Sequence, residues 1–329
     1  MLAGFLSELS PKISDIHISC CIPYDLDKVK ARFPEVSWYP YTNESREEAI
    51  KACDVWLGLG GSPFQSSVSP WFIQHLVEEK GFTTKFRKPM AFLGIGSQDT
   101  EAFNNKDLMG VINTCDFINT RDSNTYNSLI DNAIIKNRVF LGADLGHLFF
   151  SHHLPQSAQK KRLTVVLNTD YKAWPNLNLI IENLENLNAN EQLWLIQESR
   201  PLPGSEQSLL ESLSPEVKTK WTPIFAEKPN ESLSSIAASW PTGEWTLTSR
   251  YHTAIASFWG GSKTTILGIN SKLNAVASEF GLTALPINAP KESILASLQE
   301  AKPVDRSLLL KHTSLAKASV AHFRSTFGL

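Results

Sequence analysis

Short apolar runs recur through the first half of the chain, at 15–22 (DIHISCCI), 54–60 (DVWLGLG), 89–96 (PMAFLGIG), 116–122 (DFINTRD) and 138–144 (RVFLGAD). Several are apolar on both faces, as strands must be when helices cover a sheet from both sides. Between them lie segments with helical spacing, such as ESREEAIKAC (44–53) and SNTYNSLIDNAI (123–134). Alternation of this kind predicts right-handed βαβ crossovers and a parallel sheet.

The stretch SHHLPQSAQKKR (151–162) is polar, basic and holds a proline, and reads as an interdomain linker. The alternation then restarts. Strand-like runs at 162–169, 192–199, 221–226, 244–250 and 264–269 are separated by helical patterns at 176–189, 206–213, 230–239 and 252–259. The expected organisation is an α/β domain over 1–155, a second over 156–305, and a final helix over 306–329 that packs back on the first domain. In such pairs ligands bind in a central cleft faced by the carboxyl ends of both sets of strands.

Charge changes the picture little: 31 Lys and Arg stand against 33 Asp and Glu. Such a balance gives no general attraction to nucleic acid or to acidic membranes, so any anion recognition must be local. The cysteines Cys20, Cys21, Cys53 and Cys115 form no CxxC and have no histidine cluster at zinc-ligand spacing; they read as reduced thiols, with no metal site. The opening MLAGFLSELSPK reaches Glu8 without a basic n-region, and no later run approaches the ~20 apolar residues of a membrane span. The expectation is a cytoplasmic protein.

Chemistry is to be sought at the strand ends. In the first domain these carry Gly60 and Gly61 (GLGGSPFQ), Gly96 and Ser97 (LGIGSQ), Arg121 and Asp122 (NTRDSN), and Asp144 (GADLGH). The glycine turns can offer backbone N–H groups to an anion or can be plain tight turns, and GLGGSP lacks the last glycine of a dinucleotide fingerprint. Arg121 and Asp122 can equally form a simple ion pair.

The sharpest signal is SRYHTAIASFWGG (249–261). A strand ends near Ser249, a helix starts around Tyr251 or His252, and a glycine pair stops it. Arg250 and His252 then sit where free N–H groups and the helix dipole favour an anion, and where a cation without one is disfavoured. A guanidinium grips a carboxylate or phosphate through two parallel bonds, and an imidazole gives or takes a proton near neutral pH. The other reading is that Arg250 pairs with a carboxylate across the interface between the domains while His252 packs. Lys272, after the next strand, can reach the same place.

In order along the chain, these elements resemble the polysaccharide pyruvyl transferase family. The resemblance is strongest over 249–282, SRYHTAIASFWGGSKTTILGINSKLNAVASEFGL, and weaker in DVWLGLGGSPFQ, FLGIGSQ, TRDSNTYNSL and GADLGHLF. It implies two Rossmann-like domains with parallel sheets facing a central cleft, as in GT-B enzymes. It also implies transfer of a pyruvyl group from phosphoenolpyruvate to two hydroxyls of a sugar, for an exopolysaccharide or its precursor, forming a ketal and releasing phosphate. On this reading Arg250 and His252 are catalytic, His252 as acid or as base. Arg121, Asp122, Gly60, Gly61, Gly96, Ser97, Asp144 and Lys272 bind substrate. No cofactor is needed, and membrane contact is at most peripheral, through a lipid-linked acceptor.

The chain departs from the family at its start, where MLAGFLSEL reads as a first helix already under way. The first strand and its Gly-Asp loop are expected to be missing, through a misassigned start or natural shortening. Ser62 stands where a third glycine is common. Two other readings therefore stay open, a GT-B glycosyltransferase using a nucleotide sugar and a shortened, non-catalytic paralogue.

Overall fold

The computed structural model describes residues 1–9, 19–22 (backbone only), 26–66, 71–154, 160–169, 174, 176–197, 202–226 and 231–329. They form two compact units, Met1–Phe149 with Lys311–Leu329, and Phe150–Leu310.

In the first unit the strands β1 (Ser19–Ile22) and β2 (Ser37–Pro40) pair in parallel, and β3 (Trp56–Leu59), β4 (Met90–Ile95), β5 (Phe117–Thr120) and β6 (Val139–Leu141) form a parallel sheet in sequential order. Every residue of β4 and β5 is buried, which accounts for the unbroken apolar sequence of β4, while β5 also buries the polar Asn119 and Thr120. One face packs Phe92, Ile95 and Ile118 against Ile73, Leu76, Leu108 and Leu129. The other packs Ala91, Leu93 and Phe117 against Phe5 and Leu9 of α1 (Leu2–Leu9) and Ala316, Val320 and Phe323 of α15 (Arg306–Phe327). The final helix thus closes one face of this sheet.

The helices α2 (Leu26–Arg32) and α3 (Asn43–Ala52) follow β1 and β2, and α4 (Trp71–Phe86) follows β3. The hydrophobic pattern conceals α4, because two of its four buried residues are Glu79 and Thr83. Glu79 is tolerated inside because it accepts from Trp56 Nε1 (2.8 Å) and faces the buried Arg46 of α3 at 3.4 Å. Arg46 also donates to Tyr41 Oη (2.8 Å) and Glu78 Oε2 (2.6 Å) and lies 2.9 Å from His75 Nδ1, so α3 and α4 are clasped by polar groups. The helices α5 (Lys106–Ile112), α6 (Ser123–Asn132) and α7 (Gly146–His153) complete the unit's crossovers. Ser151–His153 of the linker-like stretch form the last turn of α7, continuing a helix begun by apolar residues; 155–159 lie outside the described residues.

Two histidines of this unit give it an acid limit. Burial, reinforced by Arg46 at His75 and by Lys311 at His312, lowers each from 6.5 to about 4. The unfolded chain takes up these protons near pH 6.5 and the folded chain only near pH 4. Stability is therefore fully present above pH 6.5 and declines as pH falls towards 4. Burial pushes the Glu79 carboxyl upward, which acts in the opposite sense and offsets part of the loss. Urea unfolding at pH 5 is expected to show about 2 kcal/mol less stability per histidine than at pH 7, before that offset. His312→Gln should remove one share, and a flat stability curve over this range would contradict the assignment.

The second unit has one six-stranded parallel sheet, ordered β12-β11-β10-β7-β8-β9. Its strands are β7 (Arg162–Val166), β8 (Glu191–Ile196), β9 (Thr222–Phe225), β10 (Trp245–Thr248), β11 (Lys263–Leu267) and β12 (Ala284–Leu285). The chain builds outward from β7 to β9, returns to place β10 beside β7, and then builds the other way. This reversal makes the β7/β10 boundary the topological switch point, where parallel sheets open a crevice at their carboxyl ends. The helices α8 (Leu177–Asn183), α9 (Glu206–Glu211), α10 (Pro215–Lys218), α11 (Leu233–Ala238), α12 (Tyr251–Trp259), α13 (Ser271–Glu279) and α14 (Lys291–Glu300) cover the two faces. Their apolar sides join one core around Trp194, Ile181 and Leu298 and another around Ile255, Trp259 and Val276.

Candidate active site

In the first unit the sequence-marked residues of four strand ends meet in one buried network. Gly60 and Gly61 turn the chain after β3 with φ of 63° and 76°, a region that favours glycine. Gly61 then accepts a backbone bond from Gly96 (2.9 Å), and its own N–H donates to Met1 Sδ (3.1 Å). Arg121, its side chain 1% exposed, donates from Nη1 to Asp144 Oδ2 (3.1 Å) and from Nη2 to Ser62 Oγ (2.9 Å), with Nε 3.8 Å from Asp122 Oδ2. Asp122 caps α6 through Thr125 N (2.7 Å), and Thr125 Oγ1 accepts from Ser97 N (2.8 Å). A side chain at Gly96 would meet Arg121 Nε at 2.6 Å and Asp122 Oδ2 at 2.8 Å, so that position needs glycine for close approach. Arg121 here is a buried linchpin between two carboxylates and the Ser62 hydroxyl.

The second unit presents its residues differently. After β10, Ser249 is buried and ties the switch point together: its hydroxyl accepts from Asn168 N (2.7 Å) and donates to Asn168 O (2.8 Å), beyond the end of β7. Arg250 is the N-cap of α12 in extended conformation, so the cap position lacks the side-chain oxygen that usually fills it. All of α12 is buried except His252. The helix stops in a Schellman motif, with Ser262 N bonded to Ser257 O and Gly261 N to Phe258 O (3.0 Å each) and Gly261 at φ 78°.

The Arg250 side chain, 31% exposed, donates through Nε to Oε1 of Glu206 at 2.5 Å; Glu206 itself is fully buried. Arg250 therefore does pair with a carboxylate, and that carboxylate belongs to its own unit. Its Nη1 and Nη2 donate to no group among the described residues. Lys272 lies in the first turn of α13, after β11, half-buried.

The structure thus gathers Gly60, Gly61, Gly96, Ser97, Arg121, Asp122 and Asp144 in one unit, and places Arg250, His252 and Lys272 at neighbouring strand ends of the other. Sequence reasoning missed Glu206 and the role of Ser62. Glu206 stands in the first turn of α9, where an acidic residue is ordinary, and nothing local distinguishes it. Ser62 is visible only as a departure from a glycine run. Among the described residues no three His, Cys, Asp or Glu side chains are grouped to hold a metal ion.

An arginine and a histidine at a switch point do not by themselves fix a family, which the whole chain decides. A family model described as polysaccharide pyruvyl transferase matches residues 3–258, from α1 to Phe258 of α12. The chain belongs to the polysaccharide pyruvyl transferase family. As a pyruvyl transferase family member it is a transferase of polysaccharide biosynthesis, with a sugar or polysaccharide acceptor.

Among curated proteins no sequence relative matches. Solved structures place the fold. The chain is similar to the UDP-N-acetylglucosamine 2-epimerase from Rickettsia bellii, with a TM-score of 0.64 at 12% identity over 99% of this chain and 91% of that one. The UDP-GlcNAc 2-epimerase from Methanocaldococcus jannaschii gives 0.62 at 13% identity over 98% and 96%. A glycosyltransferase from Rickettsia africae gives 0.53 at 12% over 97% and 89%. These likenesses show a GT-B fold of two Rossmann-like domains. No helix among the described residues is long and apolar enough to cross a membrane.

Proposed function

We propose that this family member transfers the pyruvyl group of phosphoenolpyruvate to two hydroxyls of a sugar destined for an exopolysaccharide, in the cytoplasm. The observation that carries the reading is the Nη1/Nη2 edge of Arg250, taken by no group among the described residues, beside the first turn of α12 at the switch point of the second sheet. An edge with two parallel N–H donors suits a carboxylate or phosphate, and phosphoenolpyruvate carries both. The positive end of the α12 dipole at its first turn supports the second anionic group.

The reaction asks for one proton at the enol carbon C3 and for removal of one from each of two hydroxyls. Protonation of C3 makes C2 electrophilic. One sugar oxygen bonds to C2, phosphate leaves, and the second oxygen closes the ketal. His252, the half-buried residue of an otherwise buried helix, is the proton carrier. As imidazolium it supplies C3, and as imidazole it takes the first hydroxyl's proton; the second hydroxyl's proton leaves with phosphate. Lys272 adds positive charge on the donor side. Gly60, Gly61, Gly96 and Ser97 are assigned to the acceptor, on a frame that Arg121, Asp122 and Asp144 hold rigid.

Purified protein given phosphoenolpyruvate and a panel of sugar acceptors is expected to release phosphate only when an acceptor is present, with a ketal-bearing sugar seen by mass spectrometry. Stabilisation by nucleoside diphosphates and none by phosphoenolpyruvate would instead favour a nucleotide-sugar enzyme.

A further inference from the structure

Glu206 comes to Arg250 from another strand end and is anchored on both sides. Its backbone carbonyl accepts from Nε1 of the core residue Trp194 (2.8 Å), and the carbonyl of Gly204, two residues earlier, accepts from Thr169 N (3.1 Å) in the loop after β7. A carboxylate fixed this firmly dictates how a guanidinium meets it. It takes the Nε side, whereas a pairing through both Nη atoms would occupy the edge that otherwise faces a ligand with two parallel donors. Its negative charge also lies next to the seat of any anion bound at the Nη edge.

We propose that Glu206 is a positioning residue that sets the anion grip of Arg250: it fixes the edge offered to the ligand and offsets its charge, so that inorganic phosphate formed in the reaction is let go. This rests on the reading of Arg250 as the donor-binding residue. The two roles separate by sign. Glu206→Gln keeps an oxygen to accept from Nε and removes the charge, so phosphate should bind more tightly, by about threefold to tenfold for one unit charge removed near a partly hydrated anion. Glu206→Ala frees the guanidinium to swing, so phosphate should bind more weakly, by about tenfold, the size of one charge-assisted bond.

Isothermal titration of the full chain with inorganic phosphate, for wild type, both Glu206 variants and Arg250→Ala, tests this directly. The proposal predicts opposite shifts for the Gln and Ala variants, loss of binding in Arg250→Ala, and stronger product inhibition by phosphate in Glu206→Gln. Shifts of the same sign, or none, with binding still lost in Arg250→Ala, overturn the role of Glu206 and leave the reading of Arg250 standing. Unaltered phosphate binding in Arg250→Ala, or none in wild type, overturns that reading as well. Should Glu206→Ala fail to fold in a thermal melt, the Gln variant decides alone: unchanged or weaker binding overturns the proposal.

Discussion

Arg250→Lys is expected to lower kcat/KM for phosphoenolpyruvate by about two orders of magnitude while leaving the melting temperature nearly unchanged. The reason is geometric. The guanidinium faces Glu206 with Nε, and its second edge of two N–H groups is taken by no group among the described residues. An ammonium at this position can neutralise the buried carboxylate but has no second edge. Arg250→Ala should lose at least as much activity and stability besides, because the buried Glu206 then loses the Arg250 guanidinium. That cost should be about 2–3 kcal/mol, below the ~3–5 of a wholly enclosed pair, since the Arg250 side is partly in water. Phosphate release against donor concentration, read beside thermal melts, separates the effects. Full kcat/KM in the lysine variant would remove Arg250 from the donor site.

The largest loss of stability should come from Arg121→Met. Arg121 lies between Asp122 and Asp144, all three buried, and its removal takes the guanidinium from two buried carboxylates. Breaking a buried pair from one side costs about 3–5 kcal/mol, mainly through the stranded charge. Urea denaturation should register this, and adding Asp144→Asn should recover part of it, because the two positions share one interaction. A loss under about 1 kcal/mol would mean that water reaches the network and that the pair behaves as a surface one.

Most of the sheet framework was legible because parallel strands covered on both faces are rich in apolar and β-branched residues; β4 is apolar throughout, and β5, β7 and β10 mix apolar residues with buried Thr or Asn. The missed strands β2 and β12 are short and only partly buried, so no such run marks them. Helix α4 went unseen because Glu79 and Thr83 take inward positions, and the partners of Glu79, Arg46 and Trp56, are distant in sequence. The candidate site divides the same way. Arg250 and His252 were readable from a strand end, a helix start and a glycine stop, all local signals. The carboxylate that orients Arg250 is 44 residues away, and the difference between a buried Arg121 and a presented Arg250 depends on such distant partners.

A crystal structure of the wild-type chain with phosphoenolpyruvate tests the central claim most directly. It should show a carboxylate or phosphate oxygen on both Nη atoms of Arg250, with Glu206 still on Nε and the His252 ring within reach of C3. Donor density at any other place, with that edge of Arg250 facing only water, would contradict the account.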